Sequence, residues 1–363
     1  MFAKSPHSQQ PRSAGILAAK IDHLMVRLNP RDLRALRHSL LEWYDAHRRD
    51  LPWRTGGPQL PGVGNCGAAR DPYPIWVSEI MLQQTRVVAV LEHYARFLQR
   101  FPTVQALAAA REQSVLAIWS GLGYYHRARR LHQAAKVIAR ERNGEFPRTA
   151  EGWRELPGIG RYTAAAIASI AFGEPVAVVD GNVERVLERM FGRAEDREAA
   201  WRRAQSVLDP KRPGDFNQAM MELGATMCTP RAPQCLLCPL YKWCESRGAD
   251  APKPQPARKR RQIHYALARN GESVLLLQRP LGAKRMAGMW ELPELPAAPA
   301  GEPLAKFRHS ITDTDYDVSV VPASANLVQS RDGNTRWFTR KQWPKLALTG
   351  LTRKMLRRLV PAT

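Results

Sequence analysis

"LPGIGRYTA", Leu156 to Ala164, is a glycine-studded turn followed at once by a small-residue helix, with Tyr162 two residues behind the last glycine. Gly158 and Gly160 permit backbone geometry closed to other residues. The helix that follows begins with free N–H groups pointing outward, a ready site for an anion. A hairpin of this form between two helices can grip a DNA phosphate through backbone amides without reading sequence. A tight helix–helix turn with no ligand carries the same signature. The rest of the chain decides between the two.

The charge points to the first. Against 33 Asp and Glu stand 55 Lys and Arg, a net charge of +22 and a pI near 10.4. Such a surplus favours a polyanion partner, because each neutralised phosphate releases counterions; a solvated basic surface is the plainer alternative. The opening stretch "MFAKSPHSQQPRSAG" lacks the apolar segment of a secretory signal. The apolar run "AAAIASIAF" falls short of the roughly 20 residues a spanning helix needs. A cytoplasmic, nucleoid-associated monomer is therefore expected, without membrane contact. Five cysteines in such a chain argue for metal or redox chemistry rather than disulfides.

The chain, 363 residues long, has room for two domains with sizeable cores. Residues 1–30 are polar and broken by Pro6, Pro11 and Pro30, and read as a mobile tail. Residues 31–248 are helical in pattern. Ile80, Val87, Leu91, Tyr94 and Leu98 recur at spacings of three, four and seven, which predicts one long amphipathic helix. Val183, Val186, Leu187 and Met190 repeat the signature. "TGGPQLPGVGNCGAAR", Thr55 to Arg70, is an inserted loop whose Cys66 stands alone. Residues 249–262, within "ADAPKPQPARKRR", form a basic, proline-rich linker. Residues 263–363 change texture. "IHYALARNGESVLLLQR" predicts two strands around a type I′ turn at Asn270-Gly271. "YDVSVV" and "TRWFT" are further strand candidates, and "LTRKMLRRLV" reads as a closing helix. The whole is mainly α, followed by a smaller α+β domain.

The strongest local signal is in "CTPRAPQCLLCPLYKWC". Cys228, Cys235, Cys238 and Cys244 are separated by six, two and five residues, and four thiolates in one short loop can surround a single cubane cluster. Structural zinc is the rival, although zinc loops usually carry two paired knuckles and only Cys235-x-x-Cys238 is a pair.

Two acids also draw attention. Glu79 in "PIWVSEIMLQQT" is placed near the start of a helix on the flank of its apolar stripe; an exposed first-turn carboxylate is the plain alternative. Asp180 ends "EPVAVVD" and precedes Gly181-Asn182, where an N-cap would also stand. Both adjoin apolar residues, a setting in which two carboxylates can divide the roles of proton donor and charge stabiliser.

The order Glu79, "LPGIGRYTA", "VVDGNVERV" and the C-x6-C-x2-C-x5-C loop resembles the endonuclease III, or helix-hairpin-helix, superfamily of DNA glycosylases. "RRDLPWR", "SEIMLQQTRV", "GLGYYHRARRLH", "VDGNVERVL" and "FNQAMMELGATMCT" are similar to the adenine DNA glycosylases of the MutY type. The resemblance runs almost continuously from Leu33 to Cys244 and resumes more weakly across the second domain. It implies a two-lobed helix-hairpin-helix glycosylase domain with a 4Fe–4S cluster on the loop 228–244, then a Nudix-like domain. The implied substrate is double-stranded DNA with adenine opposite 8-oxoguanine or guanine.

The resemblance also implies roles. Glu79 matches the acid that protonates N7 of the departing adenine. Asp180 matches the carboxylate that stabilises the oxocarbenium-like sugar, with Tyr162 and Asn182 positioning the pair. Bifunctional relatives carry a lysine where Tyr162 stands, and a phenol cannot form a Schiff base. Arg49, Trp53, Arg54 and Glu222 match positions lining the adenine pocket. Gln84, Leu122 and Tyr124 match residues that fill or wedge the gap beside 8-oxoguanine; for Tyr124, core packing at a helix end is the alternative. Lys242 and Arg231 would present charge to phosphate from the cysteine loop.

In the second domain "LLLQRP…AGMWELPE" fits the Nudix-like pattern without the acidic metal-binding helix of true Nudix hydrolases, so no nucleotide hydrolysis is expected. The family's recognition loop usually carries Phe-Ser-His. Here "FRHSITDTD" places Ile311, Thr312 and Asp313, keeping a hydroxyl but introducing an anion, with Arg308 or His309 as its expected basic neighbour. Two other readings make different demands. A pyrimidine-lesion lyase would need an amine at 162, and a redox-sensing DNA-binding protein would not need Glu79 or Asp180.

Overall fold

The computed structural model describes residues 28–54, 70–192, 194, 196–249, 257–297, 302–311, 313–328 and 334–360; Cys66, Thr312, the tail before residue 28 and residues 250–256 of the linker lie outside these. The first helix, α1 (Pro30–His47), starts inside the stretch expected as tail. Asn29 caps it, its side chain accepting from Asp32 N at 2.9 Å, and Pro30 takes the first helical position, where a missing N–H costs nothing.

The long helix predicted from Ile80 to Leu98 is two helices, α2 (Pro72–Leu82) and α3 (Val87–Arg100). Between them Gln84 has φ 55°. A four-residue break is close to one helical turn, so the apolar spacing passes through it undisturbed. The buried stripe of α3 is Val90, Tyr94, Phe97 and Leu98, while Leu91 is exposed. The succeeding helices are α4 (Val104–Ala109), α5 (Glu112–Trp119), α6 (Tyr125–Glu141), α7 (Ala150–Arg154), α8 (Arg161–Phe172), α9 (Gly181–Phe191), α10 (Arg197–Val207) and α11 (Pro213–Thr226). The predicted stripe Val183, Val186, Leu187 and Met190 is the buried face of α9. Two 3-10 turns, Cys235–Leu237 and Tyr241–Trp243, shape the cysteine loop.

The strands form two sheets. One has the order β5-β1-β7-β6, with β1 (Lys259–Leu267), β5 (Glu294–Leu295), β6 (Ala305–Ile311) and β7 (Thr314–Pro322). In it β1 and β7 run parallel, from Lys259 opposite Thr314 to Leu267 opposite Pro322. The other joins β2 (Arg269–Asn270), β3 (Ser273–Gln278), β4 (Trp290–Glu291) and β8 (Thr335–Thr339), β3 pairing antiparallel with the other three. A short helix, α12 (Ala325–Val328), and a closing one, α13 (Gly350–Leu359), complete the chain.

Two details differ from the sequence reading. The strand β1 begins inside the stretch expected as linker, because Lys259 to Arg261 pair with Thr314, Asp315 and Tyr316 of β7, and Gln262 with Asp317. The turn at Asn270-Gly271 is displaced by one residue: Asn270 pairs with Ser273, so Gly271 and Glu272 are central. Only Gly271 has positive φ there, 54°, which excludes type I′. Moreover β1 does not pair with β3, and the hairpin is confined to β2.

Two compact units emerge. One contains α1 and α7 to α11 with the cysteine loop; the other contains α2 to α6 and the strands. The strand region is thus continuous with a helical group rather than a separate body. Ser120 Oγ and Tyr125 OH both donate to Leu348 O, at 2.6 and 3.2 Å, and Gln113 Nε2 donates to Gly288 O at 3.3 Å. The core of the strand region gathers Tyr265, Val274, Leu276, Trp290, Val318 and Val320 beneath Leu351, Met355 and Leu356 of α13; each such side chain contributes roughly 1.5–3 kcal/mol. Among the described residues no helix is long and apolar enough to cross a membrane.

Candidate active site

The helix α2 buries every residue from Tyr73 to Met81. Glu79 is its eighth residue and only 6% exposed. It therefore stands neither near the helix start nor on an exposed first turn, as the sequence suggested; it is the one charged side chain of a mostly apolar buried helix. A group so placed costs free energy that packing alone does not explain.

Asp180 and Asn182 belong to the other compact unit. Asp180 does cap α9: its Oδ1 accepts from Asn182 N at 2.9 Å and Val183 N at 2.8 Å, and its Oδ2 from Asn182 Nδ2 at 3.1 Å. Three donors fix the carboxylate's orientation while leaving it half-buried. Asn182 is held in turn, its Oδ1 accepting from Arg185 Nη2 at 2.8 Å. The same Arg185 reaches Gly224 O at 2.7 Å and Cys228 O at 2.9 Å. A chain of hydrogen bonds so runs from Asp180 to the cysteine loop. On α8, the Tyr162 hydroxyl donates to Met221 Sδ at 3.1 Å.

Of the four pocket candidates, three converge. Glu222, 1% exposed, accepts from Arg49 Nε and Nη2 at 2.6 and 2.8 Å and from Arg54 Nη2 at 2.7 Å. Burial pushes the Glu222 carboxyl up, but the hydrogen bonds from Arg49 and Arg54 prevail and hold it at about 2. Arg54 also lies over the Tyr44 ring at 5.5 Å. Trp53 is buried. The two arginines thus spend donors on Glu222.

The wedge candidates occupy two turns of the unit that holds Glu79. Gln84 is exposed at φ 55°, Tyr124 is half-buried at φ 48°, and Leu122 is buried. Both turns touch a residue that the sequence reading passed over, Arg127. A charged side chain on the apolar face of α6, in line with Leu131 and Ile138, was the available signal.

In the glycine turn, the two glycines differ. Gly158 has φ 79°, and a Cβ there would lie 2.4 Å from Arg130 Cβ. Gly160 caps α8 with φ −89°, which any residue adopts, and a Cβ there would meet nothing within 4 Å. Unlike Gly158, Gly160 is not demanded by its backbone conformation, and its side-chain position is open.

Among the described residues Cys228, Cys235, Cys238 and Cys244 form no disulfide. Burial pushes the Cys238 thiol up to about 11, and Cys228, Cys244 and Cys235 all lie near enough to push the same way. Arg189 caps the loop, reaching Thr229 O at 2.8 Å and Cys228 Sγ at 3.3 Å. Among the described residues no group of three or more ligand side chains closes on a single-ion site. These four thiols, drawn into one short loop by the two 3-10 turns, are the candidate ligand set. Lys242 is exposed beside Asp32 at 3.9 Å, and Arg231 is exposed.

Thr312 lies outside the described residues. Asp313 is exposed at the tip between β6 and β7. Its basic neighbour is Lys259, at 3.3 Å, rather than Arg308, which pairs with Asp317 at 3.4 Å, or His309. The parallel β1–β7 pairing, invisible to local sequence patterns, places Lys259 there.

The HhH-GPD superfamily of base excision DNA repair proteins matches residues 77–210. The adenine DNA glycosylase of Rattus norvegicus is 39% identical over 327 residues, 75% of this chain and 62% of its own length, so the chain spans less than two thirds of that relative. The adenine DNA glycosylase of Mycobacterium tuberculosis is 42% identical over 244 residues, 66% of this chain and 76% of its own length. A solved thermostable thymine-DNA glycosylase is similar with a TM-score of 0.53 at 28% identity, over 61% of this chain and 98% of that one. With a helical hairpin, a buried glutamate and a capped aspartate in the matched order, the chain belongs to the adenine DNA glycosylase family of the HhH-GPD superfamily.

Proposed function

We propose that the chain is a monofunctional DNA glycosylase that hydrolyses the N-glycosidic bond of adenine mispaired with 8-oxoguanine or guanine. The observation that carries this reading is Glu79, a buried carboxylate on a mostly apolar helix. Adenine is a poor leaving group, and a proton on N7 lowers the barrier to its departure. Glu79 supplies that proton, a contribution typically worth ~10²–10⁴-fold. Asp180, oriented by three donors, faces the oxocarbenium-like sugar as charge develops. Tyr162 stands where a lyase needs an amine, so water completes the reaction and an abasic site is left.

The adenine leaves the duplex to be cut, and the Arg49–Arg54–Glu222 cluster and Trp53 line its pocket. Gly158 and Gly160 carry the phosphate contact. Cys228, Cys235, Cys238 and Cys244 would hold a 4Fe–4S cluster, which organises the loop that bears Arg231 and Lys242 and needs no redox role in excision. The strand region serves as a Nudix-like reader of 8-oxoguanine, and the protein acts as a monomer on double-stranded DNA.

The test is incubation with duplexes containing adenine opposite 8-oxoguanine, with and without alkali. Strand scission only after alkali is expected. Scission without alkali would favour the lyase reading, and no scission at all would favour a non-enzymatic binding protein. Iron analysis of anaerobically purified protein checks the cluster; stoichiometric zinc without iron would overturn it.

A further inference from the structure

Arg127 is 4% exposed near the start of α6. A guanidinium at such a site is costly unless its donors are satisfied. Its Nε has no hydrogen-bond partner among the described residues, while the partners of its two terminal nitrogens are carbonyls and a hydroxyl, with two aromatic faces beside them, rather than a carboxylate. Nη1 donates to Ile80 O and Met81 O, both at 2.9 Å, and to Gln83 O. Those are carbonyls of the last turn of α2 and just beyond it, which have no partner within the helix. Nη2 donates to Thr85 Oγ1 at 3.0 Å, Gly123 O at 3.3 Å and Leu122 O at 3.5 Å. The guanidinium carbon lies 5.5 Å from the centroid of the Trp119 ring and 5.2 Å from that of Tyr124.

One side chain therefore clasps two turns. The first, residues 83–86, carries Gln84 in the left-handed region; the second, 121–124, carries Tyr124 there, with Gly121 and Gly123 also at positive φ. Left-handed non-glycine residues persist only where their surroundings over-determine them, and Arg127 contacts the backbone of both turns. A planar fork of five donors can reach both; an ammonium, a compact point charge, cannot span them. Burial lowers the pKa of Arg127 to about 10, which leaves the group charged at neutral pH.

We propose that Arg127 is a positioning residue that makes the Gln84 turn and the Leu122–Tyr124 turn one rigid wedge for displacing a base from the duplex. The inference rests on the reading above that these turns enter DNA beside the mispair. Each turn has a bond of its own, Thr85 Oγ1 to Gln83 O at 3.3 Å and Trp119 Nε1 to Gly123 O at 3.1 Å; Arg127 is the side chain that ties one turn to the other. Clasped together, they meet the duplex without first paying to be ordered.

The test uses the full chain and a duplex with 2-aminopurine in place of the target adenine, opposite 8-oxoguanine. The rise in 2-aminopurine fluorescence on mixing reports unstacking whether or not the base is released. Arg127→Met is expected to slow that rise by about tenfold or more, with duplex affinity changed by no more than about twofold, since the lost contacts are internal. Arg127→Lys should fall between. Adding Gln84→Ala to Arg127→Met should slow it by less than about a further twofold, because both act through one wedge. Unstacking by Arg127→Met at the unchanged rate, full additivity with Gln84→Ala, or no rise with the unaltered chain would each overturn the inference. Should Arg127→Met fail to fold, Arg127→Lys carries the comparison, and an unchanged rate overturns the proposal. Excision separates the two readings. Slowed unstacking in a protein that releases no adenine supports the wedge and sinks the glycosylase, whereas normal excision with unaltered unstacking does the reverse.

Discussion

Arg49 grips Glu222 at two points, Nε to Oε1 at 2.6 Å and Nη2 to Oε2 at 2.8 Å, while Arg54 takes the second oxygen at 2.7 Å. Glu222 is almost fully buried, whereas Arg49 keeps 40% of its side chain in solvent. Glu222 is thus neutralised within the cluster, while Arg49 keeps a face in solvent.

This pairing has a pH signature. A carboxyl held at about 2 against an ordinary value of 4.5 stabilises the fold above the unfolded value and loses that contribution as pH falls from about 4.5 toward 2. The difference corresponds to about 3 kcal/mol. Glu222→Gln should lose about 3 kcal/mol at pH 7, since two cations lose their counter-charge, and should melt with a flatter acid limb. Urea melts of both proteins at several pH values are the check. Parallel profiles would exclude Glu222 as the source of the acid sensitivity.

The acid pair makes a sharper demand. Glu79→Gln and Asp180→Asn should each abolish adenine release, by at least ~10²-fold in single-turnover rate, while duplex binding survives. Asparagine caps a helix about as well as aspartate, so Asp180→Asn should melt within about 0.5 kcal/mol of the unaltered chain. A variant that is as stable as the parent yet inactive separates the chemistry from the cap. Wild-type excision by either variant would remove the mechanism.

Gly224 of α11 is where packing and chemistry meet. A Cβ there would lie 2.7 Å from Asn182 Cβ and 3.0 Å from Asn182 O. Gly224→Ala must therefore push the first turn of α9, costing about 1–3 kcal/mol. The displaced residue is the one whose amide holds Asp180 Oδ2, so excision should slow by about tenfold or more, as misplaced groups do. Stability and single-turnover rate are measured together. A destabilised protein with an unchanged rate would show that Asn182 does not position Asp180.

What was legible in the sequence depended on the range of the cause. The stripe of α9 and the closing helix α13 are set by spacing within one element, and could be read. The break at 83–86 could not, because it preserves the helical phase. The cysteine loop and the glycine turn announce themselves by local spacing. Arg185 does not: its partners are Asn182 beside it and Gly224 and Cys228 some forty residues on. Arg49 and Glu222 lie 173 positions apart; resemblance named both for one pocket, but only the structure shows them as an ion pair.

The altered loop yields the last prediction. Asp313, where the resemblance implies histidine, was expected to repel phosphate unless Arg308 or His309 intervened. Instead Asp313 accepts from Thr314 Oγ1 at 2.9 Å, and Lys259 Nζ lies 3.3 Å away. The Thr314 hydroxyl and then Lys259 hold the Asp313 carboxyl below its ordinary value. The anion is thus already partnered, by a residue of the parallel strand β1, so its predicted cost to phosphate binding should be small. An exposed pair of this kind is weak and salt-screened. Asp313→His should therefore raise the ratio of A:8-oxoguanine to A:G excision rates only about two- to fivefold, within reach of one added hydrogen bond at an exposed site. Lys259→Ala should do more harm than its single charge suggests, because it also uncovers Asp313; duplex affinity should fall, and Asp313→Asn should restore part of it in the double variant. Single-turnover rates on both mispairs and affinities at two salt concentrations decide. If Lys259→Ala and the double variant bind equally, Asp313 does not face phosphate, and the substituted loop has lost its predicted cost.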